Sequence, residues 1–171
     1  SPTMLNLFPA PAPLDATLFP DVLDSRYGDG TDWLMLAPFQ FIDPIEGIIT
    51  VPFVERSGQR LGYVTDFASI PRAAWPVIGA PAQYAKEAVI HDYLYTTQSF
   101  ERERCDAVFY RALLANGRSQ ARATAMTLAV RAGGWHAWNK RQGNVGNILD
   151  TDFWDLADPF TPDAIRRRWP A

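Results

Sequence analysis

Proline sets the first limit on this chain. Pro2, Pro9, Pro11, Pro13 and Pro20 fall between Ser1 and Leu23. A residue with a fixed φ and no backbone donor cannot sit inside a long helix or a central strand. Leu5, Leu7, Phe8, Leu14, Leu18, Phe19 and Val22 make the same stretch apolar. Residues 1–24 therefore read as an extended arm, lying either on a partner or back on its own domain. Residues 25–171 suffice for a single domain. A chain of this length hides roughly 68–70% of its unfolded surface, and 47% hydrophobic residues supply a core.

Turn residues continue to punctuate the next segment. Gly28, Gly30, Pro38, Asp43-Pro44 and Pro52 separate Trp33-Leu34-Met35-Leu36, Phe39-Gln40-Phe41-Ile42 and Gly47-Ile48-Ile49-Thr50-Val51. The polar turn Arg56-Ser57-Gly58-Gln59 leads into Leu61-Gly62-Tyr63-Val64. Short, apolar, partly β-branched runs at this spacing predict a small antiparallel sheet or meander over about residues 30–65.

Helical signals follow. Pro81 opens a helix through Tyr84 to Tyr95, and Thr96 to Ser99 break it. Ser99 caps a second helix with Glu101 in its first turn, running to the stop signal Asn116-Gly117. Cys105, Val108, Phe109, Ala112 and Leu113 give that helix an apolar stripe. Ser119 caps a third, ending at Gly133-Gly134. Beyond Trp135 the chain is rich in aromatics and turn residues, with a short helical candidate from Pro162 to Arg168. The fold class is α+β: a small antiparallel sheet, a helical hairpin and a third helix, preceded by the Pro-rich arm.

Several function classes drop out. A net charge of −3 and a pI near 5.3 argue against specific nucleic-acid binding. No apolar run approaches the ~20 residues of a membrane span. The N-terminus lacks a basic start followed by an apolar core, so no secretion signal is expected. The single cysteine, Cys105, leaves no internal disulfide and no cysteine-based zinc site.

The chemistry gathers on the first two helices. In an antiparallel pair, residues equidistant from the connection lie level. His91 and Asp106 share a midpoint between Gln98 and Ser99, and so do Tyr95 and Arg102. His91 and Tyr95 share one helix face by i,i+4 spacing, as do Arg102 and Asp106. A carboxylate holding one imidazole nitrogen leaves the other free to take a proton from water. Tyr95 is placed to steady Asp106. Asp92 points about 100° around the helix and suits a hard cation, with Asp66 as a possible second carboxylate. Each residue also has a structural reading. Ser69 caps a helix, Asp66 satisfies a turn amide, Arg102–Asp106 is an ordinary surface pair, and Cys105 is a small buried hydrophobe. Trp135-His136-Ala137-Trp138 closes the core, and Arg166-Arg167-Arg168 is a solvated face.

Glu87 to Tyr95 followed by Arg102 to Phe109 resembles the two central helices of secreted phospholipases A2, especially small bacterial forms. The resemblance implies that His91 is the general base on water, Asp92 ligates Ca2+, and Tyr95 and Asp106 support His91. The chain departs from that family at Gly79-Ala80-Pro81, where a Gly-rich calcium loop would lie, and in having no disulfides. Val64 to Arg72, Ala88 to Tyr95 and Arg104 to Leu113 together are similar to the DUF1353 family, common in tailed bacteriophages and prophages. That second resemblance implies a phage origin and a virion component made in the host cytoplasm. Two functions stand open. One is a virion-associated, tail-located hydrolase acting on lipid or cell envelope. The other is a purely structural protein whose arm and aromatic C-terminal region bind other phage structural proteins.

Overall fold

The computed structural model describes residues 14–27, 33–56, 58–65, 67, 69–141 and 153–155. Its sheet is organised around β6 (Gln59–Thr65), which pairs antiparallel with three other strands. One is β5 (Phe53–Arg56), in a hairpin that sets Arg56 opposite Gln59. The second is β2 (Trp33–Met35), which sets Leu34 opposite Val64 and pairs in turn with β1 (Ser25–Tyr27). The third, β7 (Phe153–Asp155), pairs with Leu61 to Tyr63. A separate two-stranded unit is formed by β3 (Phe39–Asp43) and β4 (Gly47–Val51).

That second hairpin shows how local chemistry fixes register. The Asp43 carboxylate accepts from the amides of Ile45 and Glu46, at 3.2 and 2.8 Å, and Pro44 presets the turn. Gly47 closes it at φ +87°, where a side chain is disfavoured. Alternation then turns Phe39 and Phe41 into the core. Asp43 is buried too, and it is paired: the Arg111 fork reaches it at 2.7 and 2.9 Å.

The helices follow the expected order. A short helix α1 (Trp75–Ile78) is followed by α2 (Ala85–Thr97), which is led in by a tight turn at Pro81–Tyr84. Gln98 ends α2 in a left-handed conformation. Next comes α3 (Arg102–Ala115), antiparallel to α2 and ending at Asn116 with Gly117 at φ +91°. Ser119 caps α4 (Gln120–Gly133) by accepting from the Arg122 amide at 3.2 Å. The cap expected from Ser99 is not used. Glu101 occupies that position, and the Ser99 hydroxyl bonds Thr97 instead, because α3 starts two residues later than Ser99 would allow. The sequence also gave no sign of α5 (Trp135–Lys140), β1, β5 or β7.

Residues 14–24 of the expected arm fold back on their own domain. Phe19 is buried and stacks on Phe41 and Phe39, at centroid separations of 4.7 and 5.8 Å. Asp21 accepts from the Gln40 amide at 2.9 Å. Residues 1–13 and the candidate helix Pro162 to Arg168 lie outside the described residues, as do Gly28, Gly30 and Asp66. Among the described residues no helix is long and apolar enough to cross a membrane.

Candidate active site

The α2–α3 hairpin brings the imidazole and the carboxylate together. His91 Nε2 lies 2.9 Å from Asp106 Oδ1. The Tyr95 hydroxyl donates to the same oxygen at 2.7 Å. Arg131, from α4, reaches Asp106 Oδ2 with Nε at 3.3 Å. The His91 ring lies against those of Tyr95 and Phe109, with centroids 4.2 and 5.0 Å away. His91 and Asp106 are fully buried.

The charge on Asp106 follows from its neighbours. Burial alone would push its carboxyl upward. The hydrogen bond from His91, with the Tyr95 bond and the Arg131 charge, outweighs that and holds it below the ordinary carboxylate range. An ionised Asp106 only accepts, so the proton between the two groups sits on Nε2. In the neutral imidazole Nδ1 is then a bare acceptor. Tyr95 is pushed the opposite way, upward, by burial and then by the Asp106 charge, so its phenol keeps its proton.

Nδ1 was expected to face water. It faces Ser69 instead: the Ser69 hydroxyl lies 3.1 Å away. The helix-cap reading of Ser69 is thereby overturned. Pro71 takes the cap position of the Arg72–Ala74 turn, with no side-chain cap. Asp92 holds the same residue by its backbone, since Oδ1 accepts from the Ser69 amide at 3.3 Å. Asp92 Oδ2 accepts from Thr65 Oγ1 at 2.5 Å and from the Tyr63 hydroxyl at 3.4 Å. Two adjacent side chains of α2, splayed by the helical turn, thus grip the segment that leaves β6. Within that segment Phe67 sits at φ +55°, and its amide donates to Thr65 Oγ1 at 3.1 Å.

Of the expected Ca2+ ligands only Asp92 is among the described residues. Both Asp92 oxygens already face donor hydrogens, and a hard cation needs oxygen acceptors turned towards it. Among the described residues no group of His, Cys, Asp or Glu is assembled to hold a metal. Asp66 lies outside the described residues.

Arg102 also departs from expectation. It stays near the Tyr95 hydroxyl, but its Nη1 donates to the Arg131 carbonyl at 2.9 Å, and Arg131 is the cation on Asp106. Sequence reasoning passed over Arg131 and Thr65. Nothing local marks Arg131, which reaches the site only through the packing of α4 on α3. The end of α4 also lies close to α2 and to Pro71: a Cβ added at Gly134 would stand 2.8 Å from the Tyr95 hydroxyl, and one at Gly133 would stand 2.6 Å from Pro71 Cγ. The aromatic segment is split. Trp138 packs edge-on to Tyr95 at 5.1 Å, whereas Trp135 is exposed and stacks on His136. Cys105 is buried as expected, its thiol pushed up to about 12 by burial.

A family model described as "Protein of unknown function (DUF1353)" matches residues 33–130. The chain belongs to the DUF1353 family. The DUF1353 match takes in Ser69, His91, Tyr95 and Asp106 and stops one residue short of Arg131. "Uncharacterized protein y4jT" of Sinorhizobium fredii (strain NBRC 101917 / NGR234) is 41% identical over 71 residues, covering 40% of this chain. This DUF1353 chain spans only 21% of that relative's length. No solved structure matches.

Proposed function

We propose that this DUF1353 protein is a virion-associated bacteriophage hydrolase, located in the tail, that cleaves esters of lipid or cell envelope with His91 as general base. One observation carries the reading: His91 is fixed by Asp106 through one nitrogen while the other lies 3.1 Å from the Ser69 hydroxyl. A base needs this arrangement, with its tautomer set and its acceptor nitrogen aimed at an O–H. Tyr95 and Arg131 keep the carboxylate in place and ionised. The juxtaposition of His91, Tyr95 and Asp106 agrees with the roles implied by the likeness to phospholipases A2. The reading routes no step through a metal, and gives Asp92 the part of holding Thr65 and the Ser69 backbone. The phage setting rests on the family resemblance, and the proposed partners are other phage structural proteins, bound through the N-terminal arm of residues 1–24 and the aromatic C-terminal region.

Release of fatty acid from phosphatidylethanolamine–phosphatidylglycerol vesicles tests the reading. Wild-type protein is expected to release it, and His91→Asn, with unchanged circular dichroism, to lose at least ~100-fold in rate. Equal rates for the two proteins would remove the base from the mechanism. A second reading is favoured by burial: His91, Asp106 and Ser69 are each at most 1% exposed. On that reading the cluster rigidifies an assembly protein with no catalytic activity. It predicts that His91→Asn fails to enter particles and that no vesicle lipid is ever cleaved.

A further inference from the structure

We propose that Ser69 is a covalent nucleophile, making the reaction acyl transfer through a Ser69 ester rather than direct attack by water; the proposal rests on the reading of His91 as base. The hydroxyl, the imidazole and the carboxylate form one continuous relay. Ser69 Oγ stands 3.1 Å from Nδ1, and Nε2 stands 2.9 Å from Asp106. Serine–histidine–carboxylate relays are recognised by geometry and roles rather than by order in the chain. Here the carboxylate is on Nε2 and the serine on Nδ1. The two ring nitrogens are distinct, and a carboxylate on Nε2 sets the tautomer that leaves Nδ1 as the acceptor.

The relay is also built as a nucleophile site would be. The Ser69 backbone is tied separately to Asp92, so its side chain is positioned from both ends. Thr65 fixes Asp92 and the Phe67 amide at once. Phe67, beside the relay, holds a left-handed backbone conformation that a residue with a Cβ rarely adopts. Such strain persists where surrounding contacts impose it, and it concentrates at functional segments. Ser69 is only 1% exposed, so substrate reaches Oγ only when the contacts that cover it open.

The chemistry closes. Ser69 Oγ bonds to the acyl carbon of an ester, and its proton passes to His91 Nδ1. The tetrahedral carbon expels the alkoxide, which takes that proton and leaves as the alcohol. Water then attacks the Ser69 ester, giving its proton to Nδ1. The free acid departs and Oγ regains its hydrogen.

The experiment uses the full chain and diisopropyl fluorophosphate, which forms an O–P bond to an activated serine with loss of fluoride. Intact mass and peptide mapping are expected to place a single adduct on Ser69 in wild type and none in His91→Asn. Ser69→Ala is expected to lose roughly 10³-fold or more in ester turnover. Absence of an adduct in wild type, or an adduct elsewhere, overturns the proposal, and this arm needs no variant to fold. If in addition His91→Asn abolishes turnover while Ser69→Ala keeps it, the base acts on water and only the nucleophile is lost. If neither substitution changes turnover, both readings fall.

Discussion

Replacing Asp106 with Asn removes the charge at the centre of the site while keeping its shape. Three donors converge on this fully buried carboxylate: His91 Nε2 at 2.9 Å, the Tyr95 hydroxyl at 2.7 Å and Arg131 Nε at 3.3 Å. An asparagine oxygen at the Oδ1 position still receives His91 and Tyr95, but as neutral bonds. Its amide group then faces Arg131, donor against donor. A hydrogen bond to a charged group is worth about 1 kcal/mol more than a neutral one. The two retained bonds therefore lose about 2 kcal/mol in total, and the Arg131 contact adds up to about 1 kcal/mol, discounted for its part-exposed guanidinium. Asp106→Asn is expected to lose about 3 kcal/mol, read as a lower urea midpoint at unchanged slope, or about 6–12 °C in melting temperature. The pH dependence gives a second check. The Asp106 carboxyl is held below its ordinary value of 3.8. Its contribution is therefore complete above that value and is lost as pH falls through the lower folded value. The gap between wild type and variant is expected to be wide at neutral pH and to narrow under acid. A loss below about 1 kcal/mol, or a gap independent of pH, would refute the claim that charge holds this cluster together.

Two further perturbations test neighbouring parts of the argument. Glu87 is buried, with Oε1 bonded to Asn116 at 2.9 Å and Oε2 without a partner among the described residues, and burial raises its carboxyl above the ordinary 4.5. The proton-dependent stability of such a group is complete below 4.5 and is lost as pH rises towards the folded value, so Glu87→Gln is expected to gain on wild type as pH increases; urea midpoints at acid and alkaline pH that shift in parallel would contradict this. Gly134→Ala places a methyl 2.8 Å from both the Tyr95 hydroxyl and the Val130 carbonyl, at an ordinary φ of −71°. The cost is therefore steric, about 1–3 kcal/mol, and thermal melts should show it exceeding Gly117→Ala, where φ is +91° but no atom lies within 4 Å.

The legible part of the site is the part that two helices and one short connection decide. His91, Tyr95 and Asp106 are brought together by spacing alone, because a helical hairpin maps sequence distance onto height. Thr65 and Ser69 meet Asp92 from 27 and 23 residues away. That contact depends on where β6 ends against α2, which no periodicity records. Arg131 depends on α4 settling close enough for Gly133 and Gly134 to matter. The same reasoning covers the strands. Trp33 to Met35 and Gln59 to Thr65 carry enough apolar pattern to be seen, whereas β1, β5 and β7 are strands of three or four residues. They are extended because a neighbour offers an edge, and context of that kind overrides propensity.

The two ends of the relay are unequally held, and this bears on what the site can do. At the Asp106 end, three donors meet one ionised carboxylate, and interactions of that kind are costly to break singly inside a protein. At the Ser69 end the bonds to α2 are a neutral hydroxyl contact at 3.1 Å and a long amide bond at 3.3 Å, backed by neutral bonds of Phe67 to Thr65 and Ile70 at 3.1 and 2.9 Å. A fluctuation that exposes the Ser69 hydroxyl is therefore expected to break the two bonds of Ser69 before those that clamp the imidazole. This is the asymmetry a hydrolase needs, since a base must stay oriented while the covering segment shifts. A purely rigidifying network has no use for it, so hydrogen exchange offers a discriminating view: the Ser69 amide should exchange well before the amides of His91 and Asp106.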